Sequence, residues 1–430
     1  MTIDREALLA RMVADRRAFH ARAESGFTEF WTASTIALAL EASGWRVLVG
    51  RELMSGELMM GVPPAATLDA CARRALDEGA DSALVARMAG GFTAVAGVME
   101  NGPGPVVAFR FDIDAVDVDE SREPGHLPAR DGYASTHPGS MHACGHDGHA
   151  AIGLALSRLL AADRAAWSGT VKLIFQPAEE GVRGAKSVAG SGVLDDIDYI
   201  LAGHLGIAPD GDRTFYPELG GFLATTKLDV RFEGRSAHAG MNPELGRNAL
   251  LAAAASALQI AGIPRHSAGA TRVNVGRISG GSGRNVIPGD ATLVLETRGE
   301  SSELNEYMVS EVERIVAGVA AAYGVSVRIA RMGEATGAGS DPGLQALAAA
   351  CAAESGYVRV SEEPFPLGGS EDYSFMMNRV AARGGKAIYS VFGARIADAH
   401  HSPRFDFDEA AMPPAVETLY RTALRLLAKD

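Results

Sequence analysis

The chain has 430 residues, 47% of them hydrophobic, which suits large buried cores and two domains rather than one. Forty basic against 53 acidic residues leave a net charge of −13, with no basic stripe to follow a phosphate backbone, and this argues against nucleic acid as a partner. No run approaches the roughly 18 uninterrupted apolar residues of a membrane span, and the charged N-terminus has no apolar secretion segment.

In chain order, residues 4–24 read as an amphipathic helix carrying Arg16, Arg17 and His20. A second helix over 28–43 ends at Gly44, and 45–49 reads as a short strand. The segment 51–90 holds a methionine-rich patch (Met54, Met59, Met60), a Pro63-Pro64 break and a helical run from Leu68 to Met88. It reads either as a helical insertion packed on its parent domain or as a substrate lid or subunit contact, because methionine clusters suit adaptable surfaces. The three cysteines, Cys71, Cys144 and Cys351, are too few and too scattered for a disulfide framework, so a reducing cytoplasm is expected. Cys71 and Cys351 lie in Ala-rich helical contexts and read as buried thiols.

From Gly91 strands and helices alternate. Residues 106–111 read as a buried strand followed by Asp112 and Asp114, and 171–175 as a strand followed by Gln176, Glu179 and Glu180. Residues 199–203 form a third strand, delivering His204, and 387–392 a fourth, followed by His400 and His401. Polar chemistry just past the carboxyl end of every strand is the pattern of an open α/β sheet, which binds ligands there. Between 226 and 334 the order becomes β–α–β–β–α–β, the mark of a smaller α+β domain of ferredoxin-like kind. The expected fold is therefore a large α/β catalytic domain (1–225 and 335–430) with a mixed, mostly parallel sheet, interrupted by a small lid or dimerisation domain (226–334).

The densest chemistry is Met141 to His149, where one thiol, three imidazoles and a carboxylate precede a long apolar helix over 150–162. Cys144 and His146, two residues apart, have the softness and spacing of divalent-metal ligands. Glu180, His204 and one of His400 or His401 complete a two-metal set, with the thiolate available as a bridge. Adjacent residues outside a helix point apart, so one of Glu179 and Glu180 can bind metal while the other acts as general base. Asp112 and Asp114 read as groups that orient ligand imidazoles, and Asp147 as the N-cap of the following helix.

These motifs resemble those of the dinuclear-metal amidohydrolases that include aminoacylases, carboxypeptidase G and indole-acetyl-amino-acid hydrolases. The resemblance runs nearly end to end: 109–115, 141–149, 174–181, Arg235 to Gly240, Gly283 to Pro288, Glu296 to Gly299, Gly369 to Asp372 and His401-Ser402-Pro403. The long segment before residue 90 matches the branch that hydrolyses p-aminobenzoyl-glutamate rather than shorter aminoacylases. The resemblance implies Cys144, His146, Glu180, His204 and His401 as ligands of two divalent ions, manganese or zinc, and Glu179 as the general base. It implies His238 as an oxyanion donor reaching a neighbouring subunit's site, and Asn285 and Arg298 as the groups that hold the substrate's carboxylate. From the residues alone, His238 is equally a turn residue and Arg298 a surface ion-pair residue. The implied reaction is amide hydrolysis of an N-acyl or aroyl amino acid, p-aminobenzoyl-glutamate above others. The implied assembly is a homodimer, and a further implied partner is a homologous second subunit. The alternatives are a broader aminoacylase or dipeptidase, and a non-catalytic subunit that supports a homologous partner.

Overall fold

Four apolar runs form the centre of one large sheet in the computed structural model, which describes residues 4–207 and 213–429. They are β1 (Val106–Asp112), β2 (Thr170–Gln176), β3 (Tyr199–Leu205) and β4 (Lys386–Phe392). All four run parallel, in the spatial order β2-β1-β3-β4. Strands Val95–Glu100 and Arg46–Val49 extend the β2 side in antiparallel register, and Thr214–Tyr216 and Arg359–Val360 extend the β4 side. Near-continuous burial along β1, β2 and β4 is what a sheet covered on both faces demands.

Three helices matter for the site: α1 (Arg5–Ala21), α2 (Phe30–Ala42) and α3 (His146–Ala162). Helix α3 starts four residues before the apolar run predicts, so His146, Asp147 and His149 lie in its first turn. Its N-cap is Gly145, in the left-handed region at φ 92°, and not Asp147 as expected. Gly153 lets this helix lie directly on the sheet: a Cβ there would meet Phe175 at 2.6 Å and Phe111 at 2.8 Å.

The segment 51–90 folds as two helices, Ala65–Asp77 and Ser82–Arg87, rather than one run, with Asp81 capping the second. Its apolar residues Met54, Leu68, Leu84, Val85 and Met88 are buried. Ser187 and Ser55 share two hydrogen bonds, and His137 donates to Glu78, so the segment packs on its own large unit. Cys351 is buried as expected, whereas Cys71 is only half-buried. No helix among the described residues is long and apolar enough to cross a membrane.

The chain divides into two compact units, one of Met1–Gly220, Ala338–Leu367 and Tyr373–Asp430, the other of Gly221–Gly337 with Gly368–Asp372. The smaller has a four-stranded antiparallel sheet of strands Thr271–Gly280, Asp290–Gly299, Ala224–Glu233 and Ser326–Ala335 in that spatial order. Helices Ala249–Ala261 and Ser302–Tyr323 cover one hydrophobic cluster with it, including Leu228, Val230, Leu293, Val312 and Val316. The β–α–β–β–α–β order is the ferredoxin-like one.

Candidate metal centre

Asp112 ends β1, Gln176 ends β2 just before Glu179 and Glu180, His204 is the penultimate residue of β3, and His400 and His401 lie on the loop after β4. Cys144 reaches the same place from the turn before α3. Its Sγ is 3.5 Å from His204 Nε2 and 3.6 Å from His400 Nδ1. Among the described residues, sets with ligand atoms within 4.8 Å of one another include Cys144 with His146 and His204, Cys144 with Glu180 and His401, His146 with Glu179 and Glu180, and Asp112 with His146 and His149. All five expected ligands and the expected base thus converge, with Cys144 shared between two of the sets. Both candidate histidines of the last loop face the cluster. His401 Nε2 is 3.2 Å from Glu180 Oε1, while His400 donates from Nε2 to the Gly206 carbonyl at 3.2 Å.

Hydrogen bonds assign the imidazole tautomers. His146 Nδ1 donates to the Asp114 carbonyl at 2.9 Å and His204 Nδ1 to the Leu205 carbonyl at 2.7 Å, leaving an Nε2 lone pair on each ring. His146 Nε2 is fully buried and has no hydrogen-bond partner among the described residues. A buried polar atom left without a partner costs about 1–3 kcal/mol; beside Asp112 and Cys144, which despite burial raise this ring's affinity for positive charge, a divalent cation is the partner it fits. Burial pushes the Cys144 thiol up, and burial followed by the neighbouring His149 holds His204 well below the ordinary imidazole range. The Cys144 sulfur first, then Glu180, push His401 up to about 10. A thiol that burial disfavours as thiolate, beside electron-rich groups that favour a cation, is a site that a metal ion completes.

The Glu179–Glu180 loop is held by its backbone. Ala178 N donates to Glu29 Oε1 at 2.9 Å, and Glu179 N and Glu180 N donate to the two oxygens of Asp114 at 3.0 Å each. Ala178 and Val182 sit in the left-handed region at φ 52° and 57°. Such conformations cost on the order of 1–3 kcal/mol each and persist where the surroundings over-determine them. Glu179 and Glu180 meet different partners, Glu179 Oε2 lying 3.9 Å from His146 Nε2 and Glu180 Oε1 facing His401, but their carboxylates do not point apart as expected: both come within 4.8 Å of each other and of His146.

Beneath the ligands lies a relay in which the sequence points to Asp112 but not to His149 or Arg110. His149 bridges Asp112, through Nδ1, to the Leu205 amide, whose N–H it accepts at 2.9 Å beside His204. Arg110 ties Asp112 at 2.6 Å to Gln176 at 2.8 Å, joining the ends of β1 and β2. A second buried network reaches Asp147 from α1. Fully buried Arg16 holds Asp147 at 2.8 Å, Asp406 at 2.6 Å and Glu409 at 3.1 Å. His20 links Asp147 at 2.8 Å to Glu120 at 3.0 Å. Despite burial, the Asp147 and Glu120 carboxylates push His20 up to about 9.

Residues 108–425 match peptidase family M20/M25/M40. The chain belongs to that family. This M20/M25/M40 chain is 46% identical over 415 residues to a p-aminobenzoyl-glutamate hydrolase subunit of Escherichia coli (strain K12), covering 95% of this chain and 94% of that protein. It is 45% identical over 420 residues to indole-3-acetyl-aspartic acid hydrolase of Enterobacter agglomerans, covering 97% and 96%. The crystal structure of an aminobenzoyl-glutamate utilization protein from Klebsiella pneumoniae superposes with a TM-score of 0.84 at 40% identity, over 98% and 97% of the two chains. A dinuclear metal-binding M20 peptidase, the Bacillus subtilis YXEP protein, superposes with a TM-score of 0.66 at 25% identity, over 98% and 99%. The M20/M25/M40 chain is therefore a metal-dependent hydrolase whose cofactors are divalent ions.

In the smaller unit of this M20/M25/M40 hydrolase, His238 is exposed and pairs with Val286 across a two-residue ladder, and the Ala239 amide donates to the Asn285 carbonyl at 3.0 Å. His238 Nδ1 accepts from the amides of Gly240 at 3.2 Å and Met241 at 3.1 Å. That places the ring proton of the neutral imidazole on Nε2, as a donor. Arg298 makes a bidentate pair with Glu296 at 2.9 and 3.2 Å, the ion-pair reading of the sequence.

Proposed function

We propose that this chain hydrolyses the amide bond between an aromatic acyl group and an acidic amino acid, with p-aminobenzoyl-glutamate as the expected substrate. The observation that carries this reading is the convergence of Cys144, His146, Glu180, His204 and His401 beside Glu179. The near-full-length relatives named for p-aminobenzoyl-glutamate and indole-3-acetyl-aspartate supply the substrate class: both names join an aromatic acyl group to a dicarboxylic amino acid.

In this reading the five residues hold two divalent ions, manganese or zinc, which when bound make a water more acidic and polarise the scissile carbonyl. Glu179 accepts the proton of the attacking water and returns it to the leaving amine. His238 of a second copy donates Nε2–H to the developing oxyanion. Asn285 and Arg298 hold the substrate's carboxylate, Arg through its planar fork. The pair with Glu296 means that a bound carboxylate must share or displace that partner. A homodimer through the smaller unit is supported by Leu251 and Leu258, two turns apart on helix Ala249–Ala261 and 53% and 78% exposed.

The test is an assay of the purified chain alone, expected at the mass of two copies in light scattering. It is run against p-aminobenzoyl-glutamate and indole-3-acetyl-aspartate, with and without Mn²⁺. Metal-dependent release of glutamate, with kcat/KM at least about 10-fold above that for the indole substrate (about 1.4 kcal/mol of discrimination), is expected. No hydrolysis of either substrate until a homologous second subunit is added would support the non-catalytic alternative.

A further inference from the structure

Glu29 is a buried acid that does not serve the helix it begins. It is wholly buried and stands at the N-cap of α2, yet its side chain makes no capping bond there. Glu24 does that work instead, accepting from the amides of Trp31 at 3.1 Å and Thr32 at 2.9 Å. The Glu29 carboxyl turns away from its own helix: Oε1 accepts from the Ala178 amide at 2.9 Å and Oε2 from the Thr93 hydroxyl at 2.6 Å. Burial first and the like charge of Asp114 second push it up to about 8, so its position is unfavourable for a carboxylate.

We infer that Glu29 is a positioning residue for the base: its carboxyl fixes the Ala178 amide and, through it, the direction in which Glu179 leaves the loop. The inference rests on Glu179 being the base. Three successive amides, of Ala178, Glu179 and Glu180, end on two buried carboxyls, Glu29 and Asp114. The Ala178 carbonyl accepts from the amides of Arg183 at 3.1 Å and Gly184 at 2.9 Å, whereas its N–H, at a residue whose left-handed φ of 52° needs support from outside, is held by Glu29. The chain just before Glu29 is pressed against the same residue. A Cβ on Gly26 would lie 2.9 Å from both Cα and Cβ of Ala178, so only glycine allows this approach. The neighbouring Arg183 Nε donates to the Glu180 carbonyl at 2.9 Å and its Nη1 to the Gly61 carbonyl at 3.2 Å, closing the far side of the loop. The loop is therefore clamped at both ends, and Glu29 holds the end next to the base.

The test compares Glu29→Ala, Glu29→Asp and Glu29→Gln in the full chain for kcat, KM, metal content and thermal midpoint. Gln keeps an acceptor for the Ala178 amide and can donate to Thr93, whereas Asp withdraws the acceptor by one methylene. Ala and Asp are expected to lower kcat about 10–100-fold, as a misplacement of about 1 Å does, with KM within about 3-fold and metal content unchanged. Gln is expected to restore kcat to within about 3-fold of the parent. Should Glu29→Ala fail to fold, Glu29→Asp carries the same comparison. Parental kcat in Glu29→Asp, or an equal loss in Asp and Gln that follows loss of metal or of thermal stability, overturns the inference. Glu179→Gln measured alongside separates the two readings: if it retains parental kcat the base assignment fails, and if it is inactive while Glu29→Asp is unaffected only the positioning role fails.

Discussion

Glu179→Gln is expected to lower kcat by about 10²–10⁴ while the chain keeps its full metal content. The side chain is nearly isosteric, and its backbone is held by Asp114 whatever the side chain carries. What changes is proton affinity: an amide cannot take the proton of the attacking water or hand it to the leaving amine. Glu180, one residue on, faces His401 instead and cannot substitute without abandoning that position. Steady-state kinetics paired with elemental analysis checks this. A Gln variant with parental kcat, or one that loses metal in proportion to activity, means Glu179 is not a base.

Arg16→Met is expected to cost about 3–5 kcal/mol of stability, the penalty for removing one partner from a buried ionic cluster. The guanidinium is fully buried among Asp147, Asp406 and Glu409 and lies 4.4 Å over the Phe407 ring. Methionine replaces the packing but removes the cation that joins three carboxylates: Glu409 keeps Arg17 and Asp147 keeps His20, while Asp406 loses its pair with Arg16. Because Asp147 adjoins His146 in the first turn of α3, weaker metal binding should accompany the loss. Urea unfolding monitored with metal affinity reads both. A variant as stable as the parent would show that Arg16 does not hold this helix start.

What the sequence discloses and what it hides divide along a physical line. The four central strands are legible because a strand buried on both faces is an apolar run, and the first polar residue after it marks the sheet's carboxyl edge. Glu179, Glu180 and His204 stand out for that reason, and Cys144 and His146 for their ligand spacing just before an apolar helix. His401 is separated from His400 only by the resemblance, since both imidazoles reach the cluster. The supports are not legible. Arg16 meets partners 131 and 390 residues away, and Glu29 meets an amide 149 residues on, so no local spacing records either contact. From the sequence Arg16 is one of two adjacent basic residues on the first helix, with nothing to tell it from Arg17. Asp147 reads as an N-cap because aspartate before an apolar helix usually is. Gly145, free to adopt positive φ, takes that place and releases Asp147 to bind Arg16 and His20.

The central claim is that five side chains from four separated segments hold divalent ions beside Glu179. Metal content per chain, by elemental analysis after exhaustive dialysis, tests it for the parent, Cys144→Ala and His146→Ala. The account predicts about two ions of manganese or zinc per parent chain and a loss of at least one in each variant. Variants that retain as much metal as the parent would contradict it.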